Sequence, residues 1–132
     1  QLELPATDGP LVVETAGGLM VPLTRHWLQI QQLERWQLPV VLVARSELGT
    51  LNHTLLSLEA LRKRNIPILG LVINGPPHAD NPCTLHALGK VPLLCELPPL
   101  EQLNAEALSR QWHVQNLKAK VETEIHRLRA SR

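Results

Sequence analysis

Several features are scarce in this 132-residue chain, and each scarcity closes off a class of protein. Only two cysteines are present, Cys83 and Cys95, too few for a disulfide framework, and no charged leader with an apolar stretch behind it opens the chain. A reducing, cytoplasmic setting is expected. Charge of one sign is scarce too, because 13 basic residues against 12 acidic ones leave no broad positive field for nucleic acid or an anionic membrane. Neither is expected as a partner. No uncharged apolar run approaches the roughly 20 residues that a bilayer crossing needs, and no repeat or low-complexity linker interrupts the chain. A phosphate loop of the pattern G-x-x-x-x-G-K-S/T is also missing. The single Gly-Lys pair, Gly89-Lys90, has Thr84 in place of the first glycine and Val91 in place of the hydroxyl.

What is present is apolar and periodic. With 44% hydrophobic residues the chain can bury one core, so residues 1–132 are expected to form a single α/β domain. Four short runs rich in Val, Ile and Leu, at 11–14, 39–44, 68–73 and 91–97, lack strict polar alternation and suit strands covered on both faces. Helical spacing fills the intervals. Trp27, Ile30, Leu33 and Trp36 fall three apart, and Leu51, Leu55, Leu58 and Leu61 make one stripe that ends in the polar residues 62–65. Pro98-Pro99 breaks the chain, after which helices are predicted over about 103–112 and again along the stripe Val114, Leu117, Val121, Ile125 and Leu128. Strand and helix alternate with crossovers of about two dozen residues, which predicts a doubly wound, mainly parallel sheet with helices on both faces.

In such sheets ligands bind beyond the carboxyl ends of the strands, so the residues just past each run are the candidates. The first end reads Glu14, Thr15, Ala16, Gly17, Gly18: either a hard oxygen ligand for Mg²⁺ beside phosphates, or a surface acid before a flexible turn. At the second end Leu48, Gly49, Thr50, Leu51 and Asn52 lead into a helix. That segment is an anion site made of backbone N–H groups, or an ordinary helix start capped by Thr50 or Asn52. At the third, Asn74 and Gly75 offer an amide able to read a purine edge, or simply a good turn. Pro98, Pro99 and Leu100 form the fourth. Cys83 and His86, with His78 nearby, would make only half of a zinc site, and Cys95 inside the last run reads as a buried structural thiol.

The segments ETAGGLMVPL, LPVVLVARSELGTLNHTLLSLEALRKRNIPILGLVING and VPLLCELPPL, in this order, closely resemble the C-terminal half of dethiobiotin synthetases over about residues 8–108. The resemblance implies part of a phosphate-loop NTPase fold and an ATP- and Mg²⁺-dependent cyclo-ligase of biotin biosynthesis. In that family 7,8-diaminononanoate and CO₂ form a carbamate, which takes the γ-phosphate of ATP and closes to the ureido ring of dethiobiotin. Carried over residue by residue, Glu14 matches the magnesium glutamate, and Thr15, Ala16 and Gly17 the phosphate lining. Asn74 and Gly75 match the adenine loop, Pro98, Pro99 and Leu100 the segment beside the nucleoside, and Leu48 to Asn52 the loop holding the substrate carboxylate. Glu106 stands one residue out of register with a ribose-contacting glutamate, and Thr15 replaces a glycine.

The family's phosphate loop, a magnesium-binding threonine and aspartate, and its carbamate lysine have no counterpart in these 132 residues. The resemblance therefore implies a fragment or one part of a split protein, with no catalytic residue of its own and no ATP turnover by itself. A homodimer or a complementing N-terminal half is the expected partner. Two other readings stay open: another phosphate-loop family member such as a cobyrinate amidotransferase or a phosphotransacetylase regulatory domain, and a non-catalytic nucleotide-binding or dimerisation module. The segment from Leu48 to His53 favours the synthetase.

Overall fold

A computed structural model describes residues 2–130. They form two compact units, one ending at Leu38 and one beginning at Pro39. In the first unit the run 11–14 is not the expected strand; it has no regular structure, and Val12 is 92% exposed. A strand is stable only when its N–H and C=O groups meet a neighbour, and among the described residues this run belongs to no ladder. The first unit instead pairs β1 (Pro22–Thr24) with β2 (Trp27–Leu28) in an antiparallel hairpin, followed by α1 (Gln29–Trp36). Trp27 and Leu28 were expected within the helix. They are drawn into the hairpin because the N–H groups of Gln29 and Ile30 bond to the carbonyls of Val21 and Leu19 at 2.8 and 2.9 Å, which ties the helix start to the chain ahead of it. The Gln31 side chain accepts the Leu28 N–H at 2.7 Å and so caps the first turn.

The second unit holds three strands, β3 (Val40–Arg45), β4 (Ile68–Asn74) and β5 (Leu93–Leu97), in the order β3-β4-β5 and all parallel. These are the second, third and fourth apolar runs, each shifted by no more than two residues. Between them run α2 (Thr50–Arg62) and α3 (Asn81–Gly89), and α4 (Ala105–Val114) and α5 (Leu117–Ala130) follow β5. Leu58, Leu71, Ile73, Leu85 and Val91 form the buried centre, with Leu42, Ala44, Leu51 and Leu55 packed around it. Alternation in β3 sends Leu42 and Ala44 into this core and leaves Val41 and Val43 41% and 62% exposed.

α3 was not foreseen. Its cues are Pro82, which suits the first turn of a helix, and Gly89 at its end, with Leu85 between them fully buried. The last two helices arrive nearly as expected. Asn104 caps α4 by accepting the Ala107 N–H at 2.8 Å, and the half-buried stripe Leu117, Val121, Ile125 and Leu128 turns α5 toward β4 and β5. Val114, placed by spacing on the last stripe, instead ends α4 and is 75% exposed, because the chain turns at Gln115 and Asn116 before α5 begins.

Candidate functional site

Parallel pairing puts the carboxyl ends of three strands on one rim. Arg45 of β3 stands opposite Asn74 of β4, and Asn74 opposite Leu97 of β5. The chain segments beyond these ends are then stitched together. Ser46 donates its N–H to the Asn74 carbonyl at 3.2 Å, Gly75 donates to the Leu97 carbonyl at 3.0 Å, and the Asn81 amide reaches the Ser46 carbonyl at 3.2 Å. Three of the four sequence-predicted segments are thereby brought together: Leu48 to Asn52, Asn74 with Gly75, and Pro98 to Leu100. Gly75 is required at its place. Its φ of +139° is one that side chains rarely adopt, and a Cβ would stand 2.4 Å from the buried Ser46 hydroxyl.

A cleft of about 130 Å³ opens beside Gly75, walled by Pro76, Pro77 and Pro98 with Ile73 at its floor. These prolines and Ile73 make much of its lining apolar. Asn74 is exposed at the end of β4 and is not part of the lining; Pro99 and Leu100 follow Pro98 outside it. Sequence reasoning missed three polar residues of the lining, His78, Glu96 and Gln115. The His78 ring accepts the N–H groups of Asp80 and Asn81 at 3.2 and 3.1 Å, which shapes the loop into α3. Glu96 could have been found as the last charged residue of its strand. Gln115 carried no local signal, since it arrives from the junction of α4 and α5.

A second recess lies where β3 passes into α2, lined by Arg45, Glu47, Leu48, Thr50, His53 and Thr54 among others. Gly49 is the N-cap of α2 with φ +93°, where Thr50 or Asn52 had been the expected caps. The reason is that the Thr50 hydroxyl is committed elsewhere, donating to the Arg45 carbonyl at 2.5 Å. The first turn of a helix leaves its leading N–H groups without intrahelical partners, although here the Thr50 N–H is taken by the Glu47 carbonyl at 3.1 Å and the His53 N–H by the Gly49 carbonyl at 3.0 Å. Leu48 projects fully into solvent, whereas Leu51 turns back to the core.

Glu14, Thr15 and Ala16 are exposed residues of the first unit, and Gly17 there has φ +72°. Glu106 lies on the outer surface of α4, paired with Arg110 at 3.2 Å, and does not line the cleft. Cys95 is 3% exposed, as the apolar run suggested, and burial pushes its thiol above the usual range, opposed by Lys120 and aided by Glu96. The zinc candidates are otherwise engaged: besides the His78 contacts, the His86 ring meets the Val91 carbonyl at 2.9 Å. No group of three or more potential metal ligands occurs among the described residues.

A family model described as an AAA domain matches residues 1–107. The chain belongs to this family. Membership agrees with the parallel sheet flanked by helices and makes it an α/β fold of the phosphate-loop NTPase type. Among its relatives, the ATP-dependent dethiobiotin synthetase BioD of Rhodopseudomonas palustris (strain HaA2) is 53% identical over 107 residues, 81% of this chain and 50% of that protein. The BioD of Brucella ovis is 45% identical over 118 residues, 86% of this chain and 56% of that protein. The biotin biosynthesis bifunctional protein BioCD of Bordetella avium (strain 197N) is 51% identical over 108 residues, 82% of this chain and 23% of that protein. The resemblance to dethiobiotin synthetases read from the sequence motifs is thus borne out. This AAA-domain chain spans about half the length of the BioD relatives it matches.

Proposed function

We propose that this chain is part of an ATP- and Mg²⁺-dependent cyclo-ligase that converts 7,8-diaminononanoate and CO₂ to dethiobiotin. One observation carries the reading: identity of 53% to a protein named ATP-dependent dethiobiotin synthetase over 107 residues that include every candidate segment on the rim. The rim supports it. The cleft at Gly75 and Pro98 has proline walls on which a purine can pack, and Asn74, exposed at the end of β4, is the amide to select the base edge. The Gly49 turn and the start of α2 offer N–H groups to the substrate carboxylate, and Arg45 adds a positive charge to the same recess. Glu14 is exposed and, among the described residues, has no hydrogen-bond or ion-pair partner, so its carboxylate is available to a hard cation.

In this reading Mg²⁺ would be held by Glu14 and by oxygens from outside this chain, and it would neutralise phosphoryl charge during transfer. The chain's own residues bind and orient. The adenine cleft and the carboxylate recess hold the two substrates, which lowers the barrier mainly by positioning. Both units are assigned to one domain of the longer enzyme, whose remaining part supplies the phosphate loop.

The test uses the full-length protein. Glu14→Gln is expected to weaken Mg·ATP binding and to cut turnover by about a hundredfold or more, on the scale of losing a group that stabilises charge in the transition state. Unchanged turnover removes Glu14 from the site, and the absence of dethiobiotin as a product removes the ligase reading.

A further inference from the structure

β5 ends the sheet order β3-β4-β5, and among the described residues its outer edge is met by side chains instead of another strand. The Gln115 amide makes a two-point contact with the Glu96 peptide: its Oε1 accepts the Glu96 N–H at 3.2 Å and its Nε2 donates to the Glu96 carbonyl. The second Nε2 hydrogen points to Gln111 Oε1 at 3.4 Å, so every polar atom of the amide is engaged and its orientation is determined. One turn further along, Lys120 Nζ donates to the Leu94 carbonyl at 3.0 Å on the same edge. Gln115 therefore imitates a missing strand at the point where β5 delivers Pro98 to the cleft.

We propose that Gln115 is a positioning residue for the nucleobase. By gripping Glu96 it holds Glu96, Leu97 and Pro98 as a fixed wall, while the bond from Gly75 to the Leu97 carbonyl fixes that wall against the opposite one. Without the grip, the end of an edge strand with a free carbonyl and N–H would fray, and the cleft would widen on one side. Its amide lines the cleft yet has no hydrogen left to offer a ligand, so it acts through Glu96. The junction that carries it, between α4 and α5, lies beyond residue 107, where the family match ends.

The inference rests on the reading of the cleft as the adenine site. It is tested in the full-length protein with Gln115→Leu, which keeps the bulk and removes both hydrogen bonds. The expected result is a rise of about tenfold in KM for ATP with kcat within about twofold, comparable to loosening one pre-organised contact. Inhibition by inorganic tripolyphosphate, which has no base, is expected to stay unchanged, and amide exchange at Glu96 to accelerate while that at Ile73 does not. Gln115→Glu keeps the volume but sets a carboxylate oxygen against the Glu96 carbonyl, so it should raise the KM for ATP at least as much; it also serves if the leucine variant does not fold. A KM for ATP equal to wild type, or equal losses for ATP and tripolyphosphate, overturns the proposal. If the unmodified protein itself fails to distinguish ATP from base-free triphosphate, the adenine reading of the cleft falls instead.

Discussion

Gly75 shows how much one residue decides at the rim. It takes the chain out of β4 at a φ of +139° and passes so close to Ser46 that no side chain fits. Gly75→Ala is expected to cost about 2–3 kcal/mol, because strain and a clash with a buried group coincide, and thermal unfolding would show the loss. The two cysteines offer a second contrast at this scale. Cys83 is exposed and Cys95 buried, so iodoacetamide should label Cys83 in the native protein and Cys95 only after unfolding. Burial raises the Cys95 pKa, which means that the folded state holds the thiol proton more tightly than the unfolded chain. That contribution to stability is complete below the ordinary thiol pKa and is lost as pH rises through the raised value. Cys95→Ser should flatten the alkaline limb of the stability profile; an unaltered limb would refute the linkage.

At the level of elements, caps and edges decide what spacing leaves open. α4 packs mainly on α5 and buries no residue, so its start depends on Asn104. Asn104→Ala is expected to remove about 1 kcal/mol, the usual worth of a helix N-cap, read as a lower midpoint in urea. The helices expected around 103–112 and along the final stripe were legible because both carry apolar residues every three or four positions. α3 was not, since His86 and Thr84 break its apolar pattern and only Leu85 reaches the core. The run 11–14 misled for the opposite reason: Leu11, Val12 and Val13 have strand composition, but composition cannot supply a hydrogen-bonded neighbour.

At the scale of the whole molecule, no strand among the described residues pairs with the outer edge of β3, and Val41 and Val43 are exposed on one sheet face. Unpaired edges attract another chain. The polypeptide is therefore expected to dimerise or to bind a complementing half; sedimentation as a well-behaved monomer at tens of micromolar, with and without that half, would count against it.

The residues by themselves determined the three parallel strands, the main helices and the segments that follow the strand ends, because burial on both faces and 3.6-residue periodicity are written locally. They also carried the likeness to dethiobiotin synthetases through the Glu14, Gly49 and Asn74 segments. Only tertiary structure decided which residues wall the cleft. Glu96 and Gln115 meet across 19 positions of sequence, and the union of a strand edge with a distant amide leaves no periodic trace in either segment.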